Sequence, residues 1–140
     1  MIEETQAPAA FPAVSSEPHT ILVIDDDPAM LEIVALALED AGYTVAAVTS
    51  GREALQWIQA AEAVGEPPAL ILLDLALPEM DGQQVVAMLR QQWGAKIVPF
   101  IVMSADHQAH LRGQELGAAH TLIKPFEVEG LLKIVGQFAV

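Results

Sequence analysis

Cysteine is absent from the 140-residue chain. That excludes a disulfide framework, a thiolate-bound zinc site and a thiol nucleophile together. Basic residues are scarce as well: 6 Lys and Arg stand against 19 Asp and Glu, for a formal net charge of −13. An acidic excess of this size repels phosphate backbones and anionic lipid, so neither nucleic acid nor a membrane is an expected partner. Long apolar runs are also missing. The longest, residues 69–78, is interrupted by Asp74 and is too short to span a bilayer. The first residues, Met1-Ile2-Glu3-Glu4, place no basic charge ahead of an apolar run, which is not the pattern of a secretory signal. The chain is nevertheless 53% apolar, which excludes global disorder. Its length suits one domain of about 100–150 residues. A cytoplasmic, soluble, single-domain protein is expected.

Residues 1–19 stand apart. They hold Pro8, Pro12 and Pro18, several Ala and Ser, and no Lys or Arg. This composition predicts a disordered Pro/Ala-rich tail; Phe11 and Val14 are its side chains suited to dock on a partner, but an inert tail is the expectation. Residues 20–140 are expected to form the folded domain, with periodicity running to Val140 and no room for a second one.

Within that domain, short apolar runs alternate with amphipathic segments. Strands are expected over 21–24, 43–48, 70–75, 100–103 and 121–123. Asp27 followed by Pro28 reads as a helix cap with proline at the first turn. Leu31, Val34, Leu38 and Ala41 supply that helix's apolar face, and Gly42 ends it. Ser50 and Glu53 are spaced as a capping box for a helix burying Leu55, Ile58 and Ala61. Later helices bury Val85, Val86 and Leu89, span 108–116, and bury Leu131, Leu132 and Val135. Strict alternation of apolar strands with helices predicts an α/β fold, a parallel five-stranded sheet covered on both faces. In such sheets chemistry gathers beyond the carboxyl ends of the strands.

Those ends carry Asp25-Asp26-Asp27, Asp74, Ser104 and Lys124-Pro125. Two carboxylates about 4 Å apart repel by roughly 4 kcal/mol at an effective dielectric near 20. Asp25, Asp26 and Asp74 together therefore call for a cation, and one lysine does not offset all three. A hard dication with oxygen ligands does, and Mg2+ suits a site with few protein ligands and several waters. Asp27 is assigned to the helix cap instead. Carboxylates, a hydroxyl and an ammonium around a dication make a phosphoryl-transfer site, with Asp74, on the central strand, as nucleophile. His107, His110 and His120 do not have metal-site spacing and read as solvated. Trp57 and Trp93 read as packing residues, and Asp81-Gly82 as a turn and helix start.

Four segments carry a family resemblance. They are Ile21-Leu22-Val23-Ile24-Asp25-Asp26, Leu72-Leu73-Asp74-Leu75-Ala76-Leu77-Pro78-Glu79-Met80-Asp81-Gly82, Val102-Met103-Ser104-Ala105 and Ile123-Lys124-Pro125-Phe126. Together with Gly117-Ala118-Ala119, they make residues 20–140 resemble the receiver domain of two-component response regulators, including the stand-alone type seen in chemotaxis. The resemblance implies a flavodoxin-like, doubly wound (βα)5 fold with strand order 2-1-3-4-5. It implies that Asp74 accepts a phosphoryl group from a sensor histidine kinase or a histidine phosphotransfer protein. It also implies that Asp26, Asp74 and the backbone carbonyl of Ala76 ligate Mg2+, with Asp25 acting through a metal-bound water. Lys124 would pair with the phosphoryl group, and Ser104 would move toward it and report to the face made by the fourth helix, the fifth strand and the fifth helix. Lys124-Pro125 would be cis. Where the family often has an aromatic residue in the fifth strand, this chain has Thr121. Ala76 and Asp106 occupy positions that in the family tune acyl-phosphate hydrolysis.

The expected function is thus a phosphorylation-switched signalling module, a monomer or weak dimer acting on a downstream protein. It would carry self-phosphorylation and autodephosphorylation but no multiple-turnover activity. Two alternatives use the same residues. A haloacid-dehalogenase-like Mg2+ phosphatase also uses Asp-x-Asp after a first strand, as in Asp25-Asp26-Asp27, but Ala29 stands where that class usually has Thr or Val. A constitutive adaptor would use the fold without phosphorylation.

Overall fold

Each apolar run becomes a strand in the computed structural model, which describes residues 20–77, 80, 82–93 and 98–139, apart from the Trp93 side chain. The strands are β1 (Thr20–Ile24), β2 (Thr44–Val48), β3 (Leu70–Asp74), β4 (Phe100–Ser104) and β5 (His120–Ile123). The helices between and after them are α1 (Pro28–Asp40), α2 (Gly51–Ala63), α3 (Gly82–Trp93), α4 (Ala109–Leu116) and α5 (Val128–Phe138). The expectations for residues 1–19, for Pro78, Glu79 and Asp81, and for the Trp93 side chain lie outside the described residues.

All strand pairs are parallel, in the order β2-β1-β3-β4-β5. This is the doubly wound, flavodoxin-like arrangement. Side chains alternate across a strand, and here both sets meet helices. Leu22, Ile24, Ile71, Leu73, Phe100 and Val102 pack with Ile58 of α2, Val85, Val86 and Leu89 of α3, and Leu116 of α4. Ile21, Val23, Leu70, Leu72, Ile101 and Met103 pack on the opposite face with Leu31, Val34 and Leu38 of α1 and Leu131 and Val135 of α5. Two buried faces explain why the central strands read as unbroken apolar runs.

The helix ends follow their local chemistry. The Asp27 carboxylate accepts from the Ala29 N–H at 3.0 Å, with Pro28 in the first turn. Gly42, at φ +100°, turns the chain after α1 in the left-handed region that glycine adopts freely. Ser50 accepts from the Glu53 N–H at 3.1 Å. Glu53 does not close the expected box. It accepts instead from the backbone N–H and hydroxyl of Thr49, at 2.8 and 2.9 Å, and these bonds hold its carboxyl below the ordinary value.

Three expected core positions change. Ala54, not Leu55, is buried with Ile58 and Ala61, because it stands one turn before Ile58 on the buried stripe, with Leu55 at its flank. Leu132 is half-buried beside the buried Leu131 and Val135, since it flanks the α5 stripe rather than facing the sheet. Ala41 caps α1 and is exposed, the helix having ended at Asp40. Trp57 is half-buried against the α2–α3 side of the core, as a packing residue should be. No helix among the described residues is long and apolar enough to cross a membrane.

Gly130 and Gly136 lie inside α5, and an added Cβ at either meets nothing within 4 Å. Glycine costs a helix interior about 1 kcal/mol relative to alanine. Gly130→Ala and Gly136→Ala are each expected to raise stability by about 1 kcal/mol. Urea unfolding checks this; an unchanged or lowered midpoint at both sites would contradict it.

Candidate functional site

β1 and β3 are neighbours, with Ile24 in register with Leu73. Asp25, the residue after β1, and Asp74, the last of β3, therefore leave the sheet side by side. This is also where the strand order reverses, so the loops above diverge and leave a crevice.

Asp25 is fully buried. Its backbone N–H donates to the Val48 carbonyl at 3.2 Å, extending the sheet by one step. One carboxylate oxygen accepts from the Asp27 N–H at 3.0 Å, and the other from Lys124 Nζ at 2.9 Å. Asp74 is buried as well. Its Oδ1 accepts from the Ala76 N–H at 3.0 Å, and its Oδ2 lies 3.4 Å from Lys124 Nζ. Asp26 is exposed, and carboxylate oxygens of Asp25, Asp26 and Asp74 lie within 4.8 Å of one another. Lys124 follows β5, where its N–H donates to the Ser104 carbonyl at 2.8 Å. The Lys124-Pro125 peptide is cis. Ser104 ends β4, buried, and its Oγ accepts from the Asp106 N–H at 3.0 Å.

Burial pushes the Asp74 carboxyl above its ordinary value, and the Asp25 charge adds to this against the opposing effects of the Ala76 N–H and Lys124. Burial alone would lower Lys124. The hydrogen bond to Asp25 and the charges of Asp74 and Asp25 outweigh it and hold the ammonium above the ordinary lysine value. One ammonium thus bridges two buried carboxylates, while a third stands open to solvent. A small dication fits what remains. The donors are hard oxygens, they converge within reach of one ion, and the exposed Asp26 side leaves room for retained waters.

The structure therefore gathers Asp25, Asp26, Asp74 and Lys124 at one point, with Ser104 on the adjoining strand end and Ala76 bonded through its N–H to Asp74. Asp27 caps its helix, as expected. His107, His110 and His120 are exposed, and among the described residues they form no ligand cluster. Two contacts between elements had no sequence signal. Arg90 Nη2 donates to the Leu116 carbonyl at the end of α4 at 2.7 Å, across 26 residues of chain. Thr121 is buried, and Gly113 of α4 sits directly against its Oγ1.

Known proteins share this architecture. A family model described as the response regulator receiver domain matches residues 21–136. The DNA-binding dual master transcriptional regulator RpaA of Synechocystis is 40% identical over 114 residues, covering 80% of this chain and 45% of that protein. The alkaline phosphatase synthesis transcriptional regulatory protein SphR of Synechococcus elongatus is 34% identical, covering 93% and 52%. The chain spans about half the length of these curated relatives. A putative response regulator from Chloroflexus aurantiacus superposes with TM-score 0.76 at 35% identity, covering 87% of this chain and 98% of that one. The chemotaxis protein CheY4 of Vibrio cholerae superposes with TM-score 0.74 at 31% identity, covering 85% and 97%.

Proposed function

The chain belongs to the response regulator receiver domain family, and from that premise we propose that Asp74 is the phosphoacceptor of a signalling switch. The observation that carries this reading is the place of Asp74 beside Asp25, Asp26 and Lys124 at the carboxyl end of the central strand. Family membership does not favour the phosphatase alternative, since receiver domains are signalling modules rather than multiple-turnover enzymes.

A carboxylate oxygen of Asp74 forms a bond to phosphorus as the phosphorus–nitrogen bond of a phosphohistidine breaks. The imidazole leaves and takes up a proton, and an acyl phosphate remains. Asp26, Asp74 and the Ala76 carbonyl would hold Mg2+, with Asp25 acting through a water, and the ion would supply positive charge against the phosphoryl oxygens. Lys124, already 3.4 Å from Asp74 Oδ2, pairs with the same group. The Ser104 hydroxyl donates to it. The modification adds about −1.5 to −2 charges, by analogy with other phosphoresidues. That charge is fully paired only when Lys124 and Ser104 both turn to it, so it biases the protein between two loop arrangements. Inverting a 1:99 population takes about 5.5 kcal/mol of preference for one of them.

The protein acts in the cytoplasm, and its donor is a sensor histidine kinase or histidine phosphotransfer protein. The receiver domain, a monomer or weak dimer, signals by contact with a downstream protein. Acetyl phosphate with Mg2+ tests the acceptor by intact mass: one added phosphoryl group is expected, absent in Asp74→Asn and in chelator. An adduct that survives Asp74→Asn would overturn the assignment. If Asp74→Asn leaves downstream output unchanged, the constitutive adaptor is the correct reading.

A further inference from the structure

Helix α4 is short, eight residues, and buries only Ala109, Gly113 and Leu116. A helix of this length does not persist on its own, so its ends decide where it sits. Arg90 holds the far end through the Leu116 carbonyl. At the near end, the N-cap residue Gln108 makes no side-chain capping bond. Asp106 takes that part, two residues earlier. Its carboxylate accepts from the Gln108 N–H at 2.9 Å, its carbonyl accepts from the Ala109 N–H at 3.1 Å, and its other carboxylate oxygen faces Arg112 at 3.6 Å. The ion pair is half-exposed and contributes little. The two N–H bonds organise the first turn. Asp106 is also bonded in the opposite direction, its own N–H resting on Ser104 Oγ.

We propose that Asp106 is a positioning residue that ties the head of α4 to the Ser104 hydroxyl. This rests on the phosphoacceptor reading of Asp74 for its trigger. When Ser104 turns to a phosphoryl oxygen, its Oγ leaves the Asp106 N–H, the group that caps α4 loses its anchor, and the first turn loosens. The Asp106 carboxylate is engaged by α4, so in this chain it is committed to the helix rather than to water at Asp74. Thr121, small and covered by Gly113, contributes no aromatic lever, which leaves the Ser104–Asp106 link to carry the movement.

The test needs no phosphoryl donor. Amide exchange is followed by NMR at Arg112, whose N–H bond to the Gln108 carbonyl, 3.0 Å, closes the first turn. Ser104→Ala and Asp106→Ala are each expected to speed exchange there about fivefold, with Leu122 of β5 unchanged. Because both act through one link, the double variant should be no faster than the faster single. Ser104→Thr keeps a hydroxyl and Asp106→Asn keeps a capping oxygen, so both should stay near wild type. Multiplied effects in the double variant, about 25-fold, or no effect of Ser104→Ala at Arg112, would overturn the proposal. Beryllofluoride with Mg2+, added to the wild-type chain, separates the two readings. Binding that speeds exchange at Arg112 supports both, and binding without that change overturns the role of Asp106. Failure to bind sinks the phosphoacceptor reading, and the double-variant comparison then decides on Asp106 alone.

Discussion

Lys124→Met is expected to cost the Mg2+-free protein about 3 kcal/mol, as removal of one partner from a buried ion pair does. The substitution keeps most of the side-chain volume and leaves Asp25, fully buried, and Asp74 facing each other with no cation between them. The loss should be complete at neutral pH. Lys124 sits above the ordinary lysine value in the folded protein, so its contribution is full below the unfolded pKa and fades only as pH rises through the folded one. Mg2+ is expected to restore much of the loss, and to do so at lower concentration than wild type needs to saturate, because the competing ammonium is gone. Urea unfolding in chelator and across a Mg2+ series measures both effects. A variant as stable as wild type without Mg2+ would show that the ammonium contributes nothing to holding the two buried carboxylates together.

Gly113→Val should rank with it, at about 3 kcal/mol and a lowering of Tm by about 10 °C. A Cβ at this position collides with Thr121 Oγ1 and comes within 3.0 Å of Val102 Cγ2, and both residues are buried. α4 must lift, or β5 must move. Gly113→Ala tests the cause more finely. Alanine gains about 1 kcal/mol of helix propensity over glycine, so overpacking must exceed that gain for the variant to be destabilised. Adding Thr121→Ala removes the colliding oxygen, and the double variant should recover most of the loss. Thermal unfolding of the three variants decides; failure of Thr121→Ala to restore Gly113→Ala would place the strain at Val102 instead.

The sheet was legible because its chemistry is one-dimensional. A strand such as Leu70–Asp74, covered on both faces, must be apolar throughout, and the polar residue that ends it must stand at the sheet's edge. Asp25, Asp74, Ser104 and Lys124 could therefore be placed together without knowing any angle. Helix faces were less legible. Ala54 and Leu55 differ by about 100° of rotation, and both fit a period with Ile58; packing against the sheet selects the smaller. Glu53 could be matched to a box by spacing, but whether it reaches the Ser50 or the Thr49 N–H depends on how the chain enters α2. The pairing of Lys124 with Asp25 follows from burial, since a buried carboxylate needs a partner. The sequence shows neither which carboxylate is deepest nor which the ammonium meets first. Arg90 and Leu116 carry no local signature at all, because their contact exists only once α3 and α4 lie side by side.

The Lys124–Asp25 bond joins residues 99 positions apart, the first strand's end to the last strand's end. Closing so long a loop is paid for late in folding, after local helices and neighbouring strand pairs have formed. Until β5 docks, the acidic edge stands complete but uncompensated, a half-built centre with like charges and no counterion. The ammonium therefore arrives as the closing piece of the sheet, and the site becomes competent in the same event that finishes the fold. An intermediate lacking β5 would carry every carboxylate of the centre without the ammonium that joins Asp25 to Asp74.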